Sequence, residues 1–316
     1  MFGTLGTVQW LLLHKIGHIN HNSIIILMKL TTISALSLGC LLASATLTSC
    51  SDKSKTSEET SDEQEYASVT SVPLAFELKS AKKYYEITDE EWGENYLLTL
   101  EATVQWPDEI SDYDLTPLQD TIMNIVGGDG MKSIDEAMER YVNDTADSGI
   151  GSEKAKFKEV DSIPQATSPN SFFKQIEVNF SEISSELITF NILYDQYIGG
   201  AHGMSGSAAL TYNLSTGEFI TTKWLFTDPG SKELLDAIKA TIAENTGMTV
   251  AELERSALAS PIPVSENVSI KNGMIVFHYN PYSVLPYSYG SIDAELSPYL
   301  LQNILTPKAK SLLISE

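Results

Sequence analysis

The stretch YLLTLEATVQW, residues 96–106, alternates apolar and polar side chains without a break. Tyr96, Leu98, Leu100, Ala102, Val104 and Trp106 therefore share one face of an extended run, because side chains on a strand repeat every two residues. Upstream, residues 72–87 read as its antiparallel neighbour. Downstream, Thr116-Pro117 forms an N-cap and first-turn pair ahead of Leu118, Ile122 and Ile125, which predicts a short helix ending at Gly127-Gly128. A second helix is predicted over 133–141, with Ile134, Ala137, Met138 and Tyr141 on one face. Residues 144–170 are rich in Ser, Gly, Asp and Pro and read as a loop or a seam.

The period of two returns beyond that seam. Phe172, Ile176, Val178 and Phe180 line one strand face, and Ile188, Phe190, Ile192, Tyr194 and Ile198 the next. After Gly199-Gly200, the run Ala208, Leu210, Tyr212, Leu214 enters a tight turn at Ser215-Thr216-Gly217, the pattern of a hairpin. Leu234, Ile238 and Ile242 are spaced for a helix, Thr249 with Glu252 is a capping-box pair, and 268–279 reads as a late strand. Strands in hairpins with helices between them, and no regular βαβ alternation, predict an α+β fold: antiparallel sheets with helices packed on one face, in two lobes. The lobes are expected at 67–145 and 171–316, joined by a linker at 146–170.

The chain has 316 residues, with 42% hydrophobic and 9% aromatic side chains, enough for two globular domains. Its formal charge is −22. The first 50 residues contribute only Lys15 and Lys29 and no acid, so the remainder holds 18 basic residues against 42 acidic ones. Such a surface repels phosphate backbones and excludes nucleic acid as a partner, whereas a basic protein is attracted. Both cysteines and three of the five histidines also lie in the first 50 residues. The body therefore lacks the groups for a disulfide framework, a zinc–thiolate site or a cysteine nucleophile, and neither a metal nor a cofactor is expected.

Met28-Lys29 opens an apolar segment that ends Leu47-Thr48-Ser49-Cys50. The charge-then-apolar layout is that of a secretory signal over 28–49. The Leu-x-small triplet before Cys50 is similar to a bacterial lipoprotein signal, which implies lipidation of Cys50 and an exported protein anchored in the cell envelope. Residues 50–66, with no large aliphatic side chain and many acids, are expected to be a disordered tether. Residues 1–27 precede a plausible initiator at Met28 and read as an extension of doubtful origin.

Two segments carry the candidate chemistry. Around His202, the run Tyr197-Ile198-Gly199-Gly200-Ala201-His202-Gly203 combines glycine freedom with an imidazole. Gly199, Gly200 and Gly203 permit a backbone nest for an anion or carbonyl, with His202 as acid, base or donor, or they simply let the strand turn. The segment Asn280 to Gly290 places Tyr282, Tyr287 and Tyr289 among prolines, which supplies rigid aromatic area for a protein or glycan, or a stiff cover for the sheet end. His278 reads as a half-buried strand histidine. No G-x-S-x-G, H-E-x-x-H or P-loop is present. The acids at Asp89, Glu90, Glu91 and Glu94, and those at Asp108, Asp112 and Asp114, lack the context of a glycosidase pair or an EF-hand.

The Y-I-G-G-A-H-G of 197–203, Tyr212-Asn213 with Thr216-Gly217, the Leu225-Phe226 pair and the N-P-Y-x-V-x-P-Y-x-x-G of 280–290 together resemble the C-terminal domain of RsiV-type anti-sigma factors. That domain also accompanies peptidoglycan deacetylases of the PdaC type. The resemblance implies an extracytoplasmic binding module that takes lysozyme, with Tyr197, Gly199, Gly200, His202, Gly203, Tyr282 and Tyr287 as contact residues. No sigma-binding segment and no deacetylase domain accompany it here, and Trp224 stands where relatives more often carry an acid. The function expected is a lipid-anchored envelope module binding a lysozyme-like glycosidase or cell-wall glycan. The alternatives are a glycan-acting hydrolase using His202 and a structural envelope lipoprotein.

Overall fold

The computed structural model describes residues 74–314, apart from 94, 147–149, 152, 163–170 and 185. The extension, signal, Cys50 and tether lie outside the described residues. Strand β1 (Leu74–Thr88) pairs antiparallel with β2 (Asn95–Ile110), as the alternation predicts. Leu98, Leu100, Ala102, Val104 and Trp106 are buried on one face of β2.

Helix α1 (Thr116–Gly127) and helix α2 (Ile134–Asn143) follow. The N-cap of α1 is Leu115 and not Thr116. Asp114 Oδ1 accepts the Thr116 N–H at 3.0 Å, which draws Thr116 inside the first turn. At α2, Ser133 caps conventionally by accepting the Glu136 N–H. The stretch expected as a loop contains a strand, β3 (Lys156–Val160), paired antiparallel with β1. Its side chains carry no alternating burial, so its pairing with β1 is what makes it a strand.

Strands β4 (Ser171–Ile183), β5 (Leu187–Tyr197), β6 (Met204–Asn213) and β7 (Glu218–Phe219) complete a seven-stranded sheet of order β3-β1-β2-β4-β5-β6-β7. All its ladders are antiparallel except β2 with β4, which runs parallel from Leu97↔Ser171 to Val104↔Val178. A parallel pair needs a long crossover, and α1, α2 and β3 occupy it. Both helices pack on one face, where Leu118, Ile122 and Ala137 meet Val104, Ile176, Ile192 and Leu210.

The C-terminal part holds α3 (Thr222–Leu225), α4 (Lys232–Asn245), α5 (Val250–Ser256), β8 (Val268–Lys271), β9 (Met274–Tyr279), β10 (Ile292–Leu296) and α6 (Pro307–Leu313). The run 268–279, read as one strand, is a hairpin. Asn272 and Gly273 have φ of 50° and 71°, the left-handed pair that a two-residue turn requires. Strands β10, β9 and β8 form a separate antiparallel sheet packed on Leu234, Ile238, Ile242 and Phe226.

The two sheets meet at β5 and β6. Leu187, Ile188, Thr189 and Phe190 are all buried, because the helices cover one face there and the small sheet the other; from Asn191 onward burial alternates. Thr189 donates to the Ile270 carbonyl at 3.0 Å, and the Ile270 N–H donates to Thr211 Oγ1, also at 3.0 Å. The two threonine hydroxyls are 2.8 Å apart, which closes a fully partnered buried network. Among the described residues no helix is long and apolar enough to cross a membrane.

Candidate functional site

The Gly-His segment forms the connection from β5 to β6, closed by the pairing of Gln196 with Met204. Gly199 and Gly200 both have φ of 97°, and a Cβ on Gly203 would stand 2.9 Å from the Gln196 carbonyl oxygen. The first two glycines supply a backbone that L side chains rarely adopt, and the third supplies a close approach. The Tyr197 ring lies near Phe172, with centroids 6.2 Å apart, and its hydroxyl donates to the Gly200 carbonyl at 3.1 Å.

His202 is exposed, and its Nδ1 donates to the Gly203 carbonyl at 2.7 Å. Its ring stacks on Tyr287, with centroids 4.3 Å apart and planes at 23°. The Tyr287 hydroxyl donates to the same Gly203 carbonyl at 3.2 Å. Tyr282 lies tilted against Tyr287, with ring centroids 5.5 Å apart, and is 40% exposed. Two segments about eighty residues apart thus form one aromatic cluster. Pro281 and Tyr282 occupy the centre of a turn in which Ser283 N donates to the Asn280 carbonyl. Tyr282 has φ of 67° there, a conformation that costs a non-glycine residue roughly 1–2 kcal/mol. The turn bond and the contact with Tyr287 offset that cost.

A second constellation, which sequence reasoning missed, lies beside the first. Ser207 Oγ on β6 and His278 Nε2 on β9 are 2.6 Å apart, and His278 Nδ1 bonds Asp293 Oδ1 on β10. With a carboxylate at Nδ1, the proton sits on Nδ1 and Nε2 accepts from the serine hydroxyl. This contact holds the Asp293 carboxyl below its ordinary value, against the opposing effect of burial. His278 is 17% exposed in its side chain and Asp293 43%.

Asparagines position the serine. Asn280 Oδ1 accepts the Ser207 N–H at 2.7 Å, while Asn280 Nδ2 and Asn267 Nδ2 donate to the Ser207 carbonyl. Asn267 Oδ1 also accepts the Ala209 N–H at 2.9 Å. Side-chain amides thus close the edge of β6 where a ladder partner is lacking. His278 and Asp293 are directly opposed in the β9–β10 ladder. The register of that ladder is the signal that brings Asp293 to His278, and no local motif spans Ser207, His278 and Asp293.

Elsewhere, the candidate acids do not assemble. Asp89 is buried and accepts the Glu91 N–H, and Asp114 serves the start of α1. Among the described residues, no group of three or more His, Cys, Asp or Glu side chains is arranged to hold a metal ion. Trp224 donates through Nε1 to Glu218 at 3.1 Å, and this bond together with Lys308 holds the Glu218 carboxyl below its usual range.

The fold is α+β with one large mixed sheet and one small sheet, and residues 223–298 carry a domain that matches the DUF3298 family, described as a protein of unknown function. That segment runs from α3 to just past β10, so it includes Tyr282, Tyr287, His278 and Asp293 but not the Gly-His loop or Ser207. A DUF3298 family member from Bacteroides fragilis is similar in structure, with a TM-score of 0.53 and 21% identity, covering 75% of this chain and 96% of its own. A DUF3298 family protein from Pseudomonas aeruginosa aligns with a TM-score of 0.49 and 15% identity over 76% and 97% of the two chains. No curated protein matches the chain.

Proposed function

We propose that this chain is a cell-envelope binding module, exported and lipid-anchored through Cys50, that captures a cationic glycosidase of the lysozyme type. The observation that carries the reading is the cluster of His202, Tyr287 and Tyr282, which joins two of the segments on which the resemblance to RsiV-type domains rests. Tyrosines held by stacking and by a turn offer large contact area at little entropy cost. The excess of acids over bases steers a basic protein toward that surface. Cell-wall glycan is the second ligand class that such an aromatic surface takes, and glycan alone would not need the charge.

Calorimetric titration of the purified chain with lysozyme, at low and physiological salt, tests this reading against an unrelated protein of similar basicity. Binding that survives physiological salt and is absent for the control is the expected result. Binding of both proteins only at low salt, or of neither, removes lysozyme as the ligand. Retained affinity after Tyr282→Ala would remove the aromatic cluster from the interface.

A further inference from the structure

We infer that Ser207, His278 and Asp293 form a catalytic site of their own, a serine esterase centre for small uncharged or cationic carboxylic esters. This goes beyond the binding reading and does not rest on it. Three features on three strands of two sheets converge. The hydroxyl of Ser207 lies 2.6 Å from the imidazole nitrogen that must take its proton. The other imidazole nitrogen is bonded to the Asp293 carboxylate, which fixes the tautomer and orients the ring. The serine is itself positioned by the Asn280 bonds to its own backbone N–H and carbonyl.

The serine also faces space for a substrate. A hollow of about 280 Å³ is lined by Gln175, Glu177, Asp195, Ser205, Ser207 and Ser291, on the uncovered face of β4, β5 and β6 beside the small sheet. That volume is at the lower end for small-molecule pockets, so the ester is small. Glu177 and Asp195 disfavour an anionic substrate and suit a cationic or hydroxyl-bearing alcohol. Ser205 and Ser291 line the same hollow, and their hydroxyls supply donors for a carbonyl oxygen there. Ser291 and Asp293 also border a larger polar hollow of about 850 Å³, which leaves room for the alcohol part to extend.

The chemistry balances within these groups and water. As Ser207 Oγ bonds to the ester carbonyl carbon, its proton passes to His278 Nε2, and Asp293 holds the imidazolium through Nδ1. The tetrahedral adduct expels the alcohol oxygen, which takes the proton from Nε2. Water then attacks the acyl-serine, gives one proton to Nε2, and the returning proton restores Ser207 as the acid departs. Asp293 acts through His278 and is a positioning residue.

The test is labelling of the purified chain with a fluorophosphonate probe, together with hydrolysis of 4-nitrophenyl acetate. The expected result is a single adduct on the Ser207 peptide, absent in Ser207→Ala and His278→Gln, with hydrolysis lowered about 100-fold or more in both. Asp293→Asn should lower kcat with KM little changed, and Asp293→Glu should recover part of it. Ser207→Cys keeps a hydrogen-bonding side chain of similar shape, so it guards against a folding defect in the alanine variant; it should lose the fluorophosphonate adduct and become rapidly alkylated by iodoacetamide. Absence of an adduct, an adduct on another serine, or hydrolysis that persists in Ser207→Ala overturns the inference. Lysozyme titration plays no part in this test, so either reading can fail without the other.

Discussion

His202 and His278 both lie near the start of β6, and their surroundings differ in kind. His202 is exposed, leans on a tyrosine ring, and touches only a backbone carbonyl through Nδ1. His278 is gripped on both nitrogens by side chains from two other strands. The exposed imidazole is built into a surface, and among the described residues no carboxylate bonds it. The enclosed one has both partners that proton transfer needs. A histidine set among glycines draws the eye in a sequence, yet acid–base capacity depends on what the strands bring to the ring.

The comparison breaks most readily at Asn280. Removing its amide in Asn280→Ala leaves the Ser207 N–H without its partner in a partly buried junction, which should cost about 2 kcal/mol in urea unfolding. A loss below about 0.5 kcal/mol would show that the β6 edge does not need closure. At the other histidine, Tyr287→Ala removes both the stack on His202 and the bond to Gly203, and it should weaken lysozyme binding about tenfold or more with little change in unfolding midpoint. Equal loss of stability and affinity would mean that the cluster is structural.

A smaller effect separates charge from packing at His278. Folding holds the Asp293 carboxyl below its ordinary value, so its contribution is fully present above the unfolded pKa near 3.9 and is lost as pH falls through the lower folded value. Asp293→Asn should therefore cost less than about 1 kcal/mol near pH 6, since the carboxylate is 43% exposed and screened. The two proteins should converge in stability as pH falls through the lowered folded value; a gap that does not narrow on acidification would assign the effect to packing. The smallest change is expected from His202→Ala, whose unfolding free energy should stay within about 0.5 kcal/mol of the parent in urea unfolding, as for other surface substitutions.

Strand β2 was legible because its period is unbroken and one face is wholly buried, and helix α4 because Leu234, Ile238 and Ile242 recur at helical spacing. Strand β3 was not, since Lys156, Lys158 and Glu159 on an edge strand give no burial pattern. The Asn272-Gly273 turn was present in the letters and is decisive once a hairpin is considered there. Neither the parallel ladder of β2 with β4 nor the meeting of Ser207 with His278 follows from local pattern, because each depends on register between strands some seventy residues apart. The aromatic cluster was half legible: its two segments stand out by composition, and their contact does not.

The asparagine side chains that close the β6 edge also bear on association between molecules. The small sheet is joined to the large one at β6 by side chains gripping backbone, not by a continuous ladder, so each ladder can form before the two meet. Until the β8–β9 hairpin docks, β6 presents open backbone groups over most of its length, a template for strands of other molecules. In the finished protein the two asparagines occupy those groups and shield the β6 edge from strands of other molecules.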